Sequence, residues 1–405
     1  SLRARVGMTA FAVLTLATGM AAALAIYCVI DALLLRALPY PQPDQLVQIR
    51  ELAEDGHPMA LAYPNYADLA ATATFGASAF HSSYTDTISS GNTAARATID
   101  LSGGDFFRLI GIAPQLGRTF GAGEHDKVAV IGHGLWQGLL HGRADVLGQP
   151  INVGGEPFTI VGVMPRGFAF PENTAVWMPM LDDPGTSRNA HNFEELGRLR
   201  AAADLGHARL AANALATRLK AHYGRQMDAV AFDLTPLGDA IAAPVRSALL
   251  LLAAGTAFLL LIAITNTTNL LLALNGSRAR ELAVRAALGA SRTRLARQVL
   301  LESLLVAAMA TVLALVAASA AIRVLVHVAG SRLPRVEEIH LDARMVASSL
   351  IAGVLIALVA GAAVLWNTRK QNPIGEVRES GRGQSPGRGQ LRARTLLLVG
   401  QTALT

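Results

Sequence analysis

The sequence predicts a membrane α-helical protein with four transmembrane helices, a truncated fifth, and a two-lobed α+β domain outside the membrane. Hydrophobic residues make up 52% of the chain and charged residues only 16%, whereas soluble domains carry about 25% charged residues. Four long runs contain no charged side chain. Between the first two runs, strand-like and helix-like patterns alternate, which indicates a folded domain.

The uncharged runs cover residues 6–30, 247–277, 303–322 and 345–368. A helix of about 20 apolar residues crosses the hydrocarbon core of a bilayer, so each run is long enough. Residues 1–35 are therefore predicted to hold transmembrane helix 1, and residues 247–368 to hold helices 2–4. A secretory signal is the alternative for the first run, because Arg3 and Arg5 precede it.

Arginines in the short loops predict the topology. The loop after the second run carries six arginines against one acid, Glu281, and such loops stay in the cytoplasm. The segment after the fourth run is also basic. The N-terminus and the C-terminal tail are therefore predicted to be cytoplasmic, and residues 36–246 to lie outside. This distribution of charge fits membrane flanks and predicts no nucleic-acid partner.

Local patterns predict elements of the outside domain. "DKVAVIG" indicates a short buried strand, and "INVGGEPFTIVGVMP" indicates a hairpin around Gly154-Gly155. A helix capped by Asp204 is predicted up to Tyr223. Its apolar face comprises Leu205, Ala208, Ala212, Leu215 and Leu219. Both ends of this domain must lie close to the membrane, because both lead into predicted spans.

The C-terminal part predicts a linker and a further helix. Residues 369–394 are predicted to be a cytoplasmic linker, because "GRGQSPGRGQ" has too little apolar content to pack. "LRAR" then precedes an uncharged run at 395–405, as "LRAR" also precedes the first run. We interpret this as an internal repeat, and residues 395–405 as the start of truncated transmembrane helix 5.

Catalytic and cofactor motifs are absent from the sequence. It contains no P-loop, no GxSxG elbow and no HExxH, so we predict no enzymatic activity, no cofactor and no metal. His133 and His141 are predicted to be structural or surface residues, with metal ligands as the alternative. The adjacent pairs Glu194-Glu195 and Glu337-Glu338 diverge on any regular element, so we predict solvated charges.

Three polar residues fall within or beside predicted spans. Asn266 and Asn269 lie three residues apart and share a helix face, which predicts interhelical hydrogen bonds, with a transport path as the alternative. Glu302 lies at the edge of the third span, where a carboxylate is costly unless it is paired. A neighbouring arginine is its predicted partner, and a proton relay is the alternative.

The cytoplasmic loop at 275–299 has the clearest local signals. Arg285 follows Glu281 by four residues, an order that stabilises helices, and Gly289 suits a helix C-terminus. A short helix is therefore predicted, with a second helix beginning near Arg292 and running into the third span. The loop either anchors on anionic headgroups or acts as a lever that transmits force from a cytoplasmic partner.

The loop sequence "SRARELAVRAALGASRTRLARQVLLESLL" resembles the cytoplasmic loop of MacB/FtsX-type ABC transporter permeases. In the outside domain, "GGDFFRLIGIAPQLGRTF", "VAVIGHGLW" and "DVLGQPINVGGEPFTIVGVMPRGFAFP" are similar, in that order, to the MacB-like periplasmic core domain. "LPRVEEIHLDARMV" resembles most closely the duplicated, acidobacterial-type orphan permeases, of which this chain would be the N-terminal half.

This resemblance implies a permease subunit of the bacterial cytoplasmic (inner) membrane, with its large domain in the periplasm. A cytoplasmic ABC ATPase dimer would bind the ATP and drive conformational change, for efflux or mechanotransmission. The ATPase would contact Arg278, Glu281, Arg285, Gly289 and Arg292. Other implied partners are membrane lipids, a second half of the same polypeptide or a homodimeric mate, and periplasmic proteins. The alternatives are an ATPase-independent membrane scaffold or sensor, or a regulator of a cell-wall hydrolase.

Overall fold

The computed structural model describes residues 2–91, 93–124, 126–171, 173–181, 184–200, 204–276, 292–329 and 339–370. They form two compact units. The sheet unit comprises Leu33–Pro244, and the helical unit is formed by the chain before it and after it.

Eight α-helices and eleven strands are formed by the described residues. In chain order they are α1 (Leu2–Ile30), β1 (Leu46–Leu52), β2 (Pro58–Met59), α2 (Tyr63–Ala70), β3 (Phe75–Ser90), β4 (Thr93–Gly104), α3 (Phe106–Ile110), β5 (Leu116–Gly117), β6 (Val128–Ile131), α4 (His133–Gly138), β7 (Pro150–Val153), β8 (Glu156–Val163), β9 (Val176–Pro179), β10 (Glu194–Leu199), α5 (Leu205–Tyr223), β11 (Ala231–Pro236), α6 (Leu237–Gly276), α7 (Arg292–Ala329) and α8 (Ala343–Lys370). A π-helical turn, Asp31–Leu35, continues α1.

The sheet unit is built on one mixed sheet with the strand order β11-β1-β10-β3-β4-β9-β6-β8-β5. Strand β2 pairs with the end of β1, and β7 pairs with β3 and β8. Two pairs, β4 with β9 and β6 with β8, are parallel. Helices α2 and α5 cover one face at the β11-to-β3 end. The predicted α+β class is therefore confirmed.

Local sequence patterns predict several of these elements correctly. All four residues of β6 are buried, and β7 and β8 form the expected hairpin, with Val153 paired to Glu156. Its two-residue loop is Gly154-Gly155, and both glycines have positive φ, a conformation that favours glycine. Helix α5 has Asp204 as its N-cap residue and buries Ala208, Ala212 and Ala216.

The helical unit confirms the four predicted membrane helices. Helices α1, α6, α7 and α8 each contain a segment long and apolar enough to cross a bilayer. Helix α6 begins at Leu237, well before its uncharged run, because Leu237 and Ala242 are themselves buried apolar residues. It has 40 residues and is about 60 Å long at 1.5 Å per residue. The predicted linker beyond residue 370 and the fifth helix lie outside the described residues.

Small residues allow the membrane helices to pack closely. Helix α7 packs along α1 on one side and α8 on the other. A methyl group on Gly353 of α8 would overlap Thr311 Oγ1 of α7, and one on Gly19 of α1 would lie 3.0 Å from Ala263 Cβ of α6. Thr267 of α6 also donates a 3.4 Å hydrogen bond to a carbonyl of α1. Such small-residue contacts are the usual basis of helix association in lipid.

Candidate functional site

The two strands that connect the sheet unit to membrane helices are direct neighbours. Strand β1 follows α1 along the chain, and β11 runs straight into α6. The two strands are antiparallel, with Val47 paired to Pro236 at the end where the chain arrives and leaves. Paired strands lie about 4.8 Å apart, so the two connections leave the sheet side by side.

Apolar side chains on both connections are buried in one core cluster of the sheet unit. Leu38 precedes β1, Leu46 begins β1, and Leu237 begins α6. All three side chains are less than a tenth exposed. Tyr40 adds ring contacts, with its centroid 5.9 Å from that of Phe170. The segments that lead to the membrane helices are therefore fixed to the core. We call Leu38–Val47 and Pro236–Ile241, with Arg198, the junction.

Arg198 on β10 holds the junction through backbone carbonyls. Its Nε donates to the carbonyl of Leu109 (2.8 Å), and its Nη1 donates to Pro41 (2.9 Å) and Gln42 (3.3 Å). Gln42 has a φ of 48°, a costly conformation for a residue other than glycine, which its surroundings must enforce. Burial lowers the pKa of the Arg198 guanidinium. One side chain therefore ties the chain after α1 to β10 and α3.

Helix α5 covers the outer edge of β11. Asn213 Oδ1 accepts a 2.9 Å hydrogen bond from the amide of Phe232, and Arg209 Nε donates a 2.9 Å hydrogen bond to the carbonyl of Leu234. An uncovered edge strand would invite pairing with another chain. These two side chains satisfy the edge and fix α5 to the strand that becomes α6.

Two family models match the chain in tandem. A model of the MacB-like periplasmic core domain matches residues 9–237, more than half of the chain. A model of the FtsX-like permease C-terminal region matches residues 253–373. The chain belongs to the MacB/FtsX-like permease family. The four apolar helices and the core-domain model together indicate a membrane permease subunit of the ABC-transporter class, whose sheet unit corresponds to the periplasmic core domain.

A curated relative is the macrolide export ATP-binding/permease protein MacB of Agrobacterium fabrum (strain C58 / ATCC 33970), which is 25% identical over 237 residues. That match covers 55% of this chain and 36% of the relative. The chain therefore spans about a third of the length of that protein.

Solved structures similar to the chain include the periplasmic region of MacB from Actinobacillus actinomycetemcomitans (TM-score 0.38, 14% identity, 50% of this chain and 92% of that one). The extracellular domain of the noncanonic ABC-type transporter YknZ from Gram-positive bacteria (0.37, 14%, 47% and 99%) and a domain of a putative permease from Porphyromonas gingivalis (0.39, 15%, 49% and 92%) are also similar.

Most of the predicted ATPase-contacting loop lies outside the described residues. Arg278, Glu281, Arg285 and Gly289 lie outside the described residues. Arg292 begins α7, and that helix continues without a break through the third membrane span, as the sequence predicts. The five loop residues therefore remain predictions.

The three polar residues predicted within or beside the membrane spans, Asn266, Asn269 and Glu302, are half-buried. Asn266 and Asn269 lie on α6, on either side of the buried Thr267. At 100° per residue they share a flank distinct from the stripe of Ala263 and Thr267 that contacts α1. Glu302 on α7 accepts a 3.3 Å hydrogen bond from Gln298, one turn earlier. Its predicted arginine partner remains a prediction.

The prediction that Glu194 and Glu195 are both solvated is wrong for Glu195. The two side chains do point to opposite faces of β10, and that of Glu194 is 51% exposed. Glu195 has no exposed surface, because its face of β10 lies beneath α2 and α5. Among the described residues, neither of its carboxylate oxygens has a hydrogen-bond partner. Burial raises its pKa well above the usual value.

A second buried cluster on β3 and β4 resembles a catalytic triad in composition only. His81 Nδ1 lies 3.1 Å from Asp100 Oδ1, and the hydroxyls of Ser83 and Ser102 both donate to Asp100. A nucleophilic serine must give its proton to the imidazole, whereas these hydroxyl protons go to the carboxylate. The cluster therefore satisfies a buried acid between two strands, and no local motif signals it.

The two histidines considered as metal ligands lie apart from other ligand types. His133 Nδ1 lies 3.1 Å from Gln115 Oε1, and its ring packs on Trp136. His141 is exposed, in a turn with positive φ. Within the described ranges, no group of three His, Cys, Asp or Glu side chains is placed to hold a metal ion.

Proposed function

We propose that this chain is the permease of an ABC-type transporter in which a cytoplasmic ATPase drives the membrane helices, and these in turn move the periplasmic core domain. The pairing of Val47 with Pro236 carries the proposal. Because the chain arrives and leaves through adjacent hydrogen-bonded strands, displacement of α1 or α6 acts on the same edge of the sheet. ATP would be bound by the partner.

The cytoplasmic contact is assigned to the loop between α6 and α7. In this proposal the N-terminus is cytoplasmic, and the ATPase contacts Arg278, Glu281, Arg285, Gly289 and Arg292. Helix α7 supports a lever, because it extends unbroken from Arg292 to Ala329. A push at its first turn is therefore carried along its length to the helices packed on it.

A second permease half is assigned to the exposed flank of α6. The most apolar segment of α6 is 11% buried, whereas the corresponding segments of the other three membrane helices are 33–44% buried. The flank of α6 holds Asn266 and Asn269. Asparagine side chains form interhelical hydrogen bonds in many membrane proteins. A homodimeric mate, or a second half of the same polypeptide, would cover this flank, and lipid would cover the rest.

Export is the transport direction we propose. The Agrobacterium fabrum relative is named for macrolide export, so macrolides are the first substrates to test. Deletion of the gene should lower the minimal inhibitory concentration of a macrolide, and the wild-type gene should restore it. Restoration of resistance without any retained ATPase would contradict the coupling mechanism.

Co-purification tests the ATPase partnership. The tagged full chain, extracted from native membranes in mild detergent, should retain an ABC ATPase identified by mass spectrometry. Arg285→Glu should remove the ATPase, because it reverses the charge of the proposed contact. Arg225→Glu is the matched control, since Arg225 is an exposed residue of the sheet unit. If the wild type retains no ATPase, the ATPase-independent scaffold or sensor is favoured instead.

A further inference from the structure

A row of polar side chains lies on the face of the sheet that α2 and α5 cover. Glu51 on β1 has no exposed surface, and its Oε1 accepts a 2.6 Å hydrogen bond from Asn65 Nδ2. Glu51 Oε2 lies 2.8 Å from His191 Nδ1. The other ring nitrogen of His191, Nε2, lies 2.9 Å from Asp228 Oδ1. His191 therefore bridges a buried carboxylate and a half-exposed one.

His191 belongs to a segment that crosses this face just before β10, residues 188–193, which we call the strap. At one end of the strap, Arg188 Nη1 lies 2.7 Å from Asp68 Oδ2 on α2. At the other end, Phe193 and Leu61 exchange backbone hydrogen bonds of 3.2 and 2.7 Å. The histidine lies between these anchors, so its contacts hold the centre of the strap.

Both nitrogens of His191 face acceptor atoms. Nδ1 lies 2.9 Å from the carbonyl of Ala60 as well as 2.8 Å from Glu51 Oε2, and Nε2 faces Asp228 Oδ1. A neutral imidazole has one N–H and one lone pair. If both carboxyl groups are ionised, a neutral ring must therefore place its lone pair against an oxygen. When Nδ1–H donates to Ala60, Glu51 Oε2 has no hydrogen-bond partner among the described residues. An ionised Glu51 therefore leaves an unsatisfied carboxylate oxygen buried against the ring, and a proton on Glu51 removes that charge.

Acids outnumber bases around this site. The charged and titratable groups on the surrounding elements are Glu51 and Glu54 on β1, Asp68 on α2, Arg188 on the strap, Glu195 on β10, Lys220 and Tyr223 on α5, and Asp228 before β11. Arg188 is committed to Asp68 and to the Tyr223 ring, 3.8 Å from its guanidinium carbon. Lys220 donates to the carbonyl of Met227 and lies 3.9 Å from Glu54. The two basic side chains therefore have partners other than Glu51 and Glu195.

Burial favours the protonated form of Glu51. Desolvation raises its pKa from 4.5 to about 7, although Asn65 and His191 act in the opposite direction. A raised carboxyl pKa means that the closed structure binds its proton more tightly than an opened, hydrated one. That stabilisation is fully present below pH 4.5 and is lost as the pH rises to about 7.

We propose that the strap is a proton-dependent latch, held on the sheet when the buried Glu51 beside His191 carries a proton and loosened when that proton leaves. The strap leads directly into β10, whose Arg198 holds the junction, so loosening it acts on the strand that pairs with β1. The core domain would then respond to the pH outside the membrane. This inference does not depend on the proposed ATPase partnership.

Hydrogen exchange in the full chain in lipid nanodiscs tests the latch. Exchange is measured at about pH 5 and about pH 8, with labelling times corrected for the intrinsic rate. In the wild type, peptides covering the strap and Leu61 should be at least about tenfold more protected at the lower pH, the effect of one pKa unit.

Two variants should alter this response. In Glu51→Gln, the side chain is neutral at both pH values and has no proton to lose, so protection should be equal at both pH values. Asp228→Asn changes a side chain that is 50% exposed and should leave the fold intact. Its amide can donate to Nε2, so protection at about pH 8 should exceed that of the wild type.

Glu194→Gln is the control, because its side chain is 51% exposed on the opposite face of β10 and should leave the response of the strap as in the wild type. Equal protection of the wild-type strap at both pH values would overturn the proposal. A response that persists in both Glu51→Gln and Asp228→Asn would also overturn it, as would one that disappears only in Glu194→Gln.

Discussion

Val47 and Pro236 are paired across two antiparallel strands, and this pairing places the two membrane connections of the core domain side by side. Three buried leucines and Arg198 fix the backbone on both sides of the pair. The junction is therefore a rigid part of the sheet. Motion of either helix must move this edge as one piece or break its hydrogen bonds.

Replacing Arg198 should loosen the junction. Arg198→Ala removes hydrogen bonds from a charged donor to three carbonyls and should lower the free energy of unfolding of the core domain by about 1.5–3 kcal/mol. Arg198→Lys should have an intermediate effect, because one ammonium group cannot reach two segments in the way a guanidinium does. Thermal unfolding of the purified chain measures both. Arg225→Ala, at an exposed site, is the control. Equal stability of the two alanine variants would refute the role of Arg198 in holding the junction.

Neutralising Glu195 should stabilise the protein at neutral pH. Its raised carboxyl pKa stabilises the fold at low pH, and this contribution is lost as the pH rises from 4.5. Glu195→Gln carries no charge at any pH and so removes the loss; the free energy of unfolding at about pH 8 should therefore be higher than that of the wild type. Chemical denaturation at several pH values measures the change. Glu194→Gln, next to it on the exposed face, should have little effect. If the stability of Glu195→Gln depends on pH as strongly as that of the wild type, the assignment is contradicted.

Adding a methyl group to Gly353 should disrupt the packing of α8 on α7. The new Cβ would overlap Thr311 Oγ1, and overpacking of this kind costs about 1–3 kcal/mol. The melting temperature in detergent should fall for Gly353→Ala. The matched control is Gly255→Ala on α6, where a Cβ would meet no described atom within 4 Å. If the two variants have the same melting temperature, the described close approach of α7 and α8 is contradicted.

Cysteine cross-linking tests the exposed flank of α6. Leu251 is 75% exposed and lies 18 residues, or about five turns, before Asn269, so both share one helix face. In a background with the buried Cys28 replaced by alanine, Leu251→Cys should form an oxidised dimer in native membranes. Val316→Cys on α7, at a site 62% exposed, should remain monomeric. Equal cross-linking at both positions would indicate random collision.

Hydropathy and local periodicity predict much of the fold. The four membrane helices, the buried strand β6, the hairpin of β7 and β8, and helix α5 all follow from patterns within a few turns or residues. Each depends on contacts close in sequence, so the local pattern contains the necessary information. The first turns of α6 were not predicted, because Leu237 and Ala242 are buried by distant parts of the sheet.

The residues of the candidate site depend on contacts far apart in sequence. Arg198 contacts residues about 90 and about 160 positions away, and Val47 pairs with Pro236 across almost the whole core domain. Glu195 lies in "EELGRL", a stretch whose charges suggest solvent, and only the placement of α2 and α5 makes it buried. No local pattern reveals which face of β10 will be covered.

The most direct test is the response of the junction to nucleotide. Hydrogen exchange should be measured in the chain purified with its ATPase, in nanodiscs, with and without ATP and orthovanadate. The account predicts that nucleotide changes the exchange of peptides covering Leu38–Val47 and Pro236–Ile241 together, and that Arg198→Ala uncouples the two. A core domain whose exchange is identical in both states, while the ATPase remains bound and active, would contradict it.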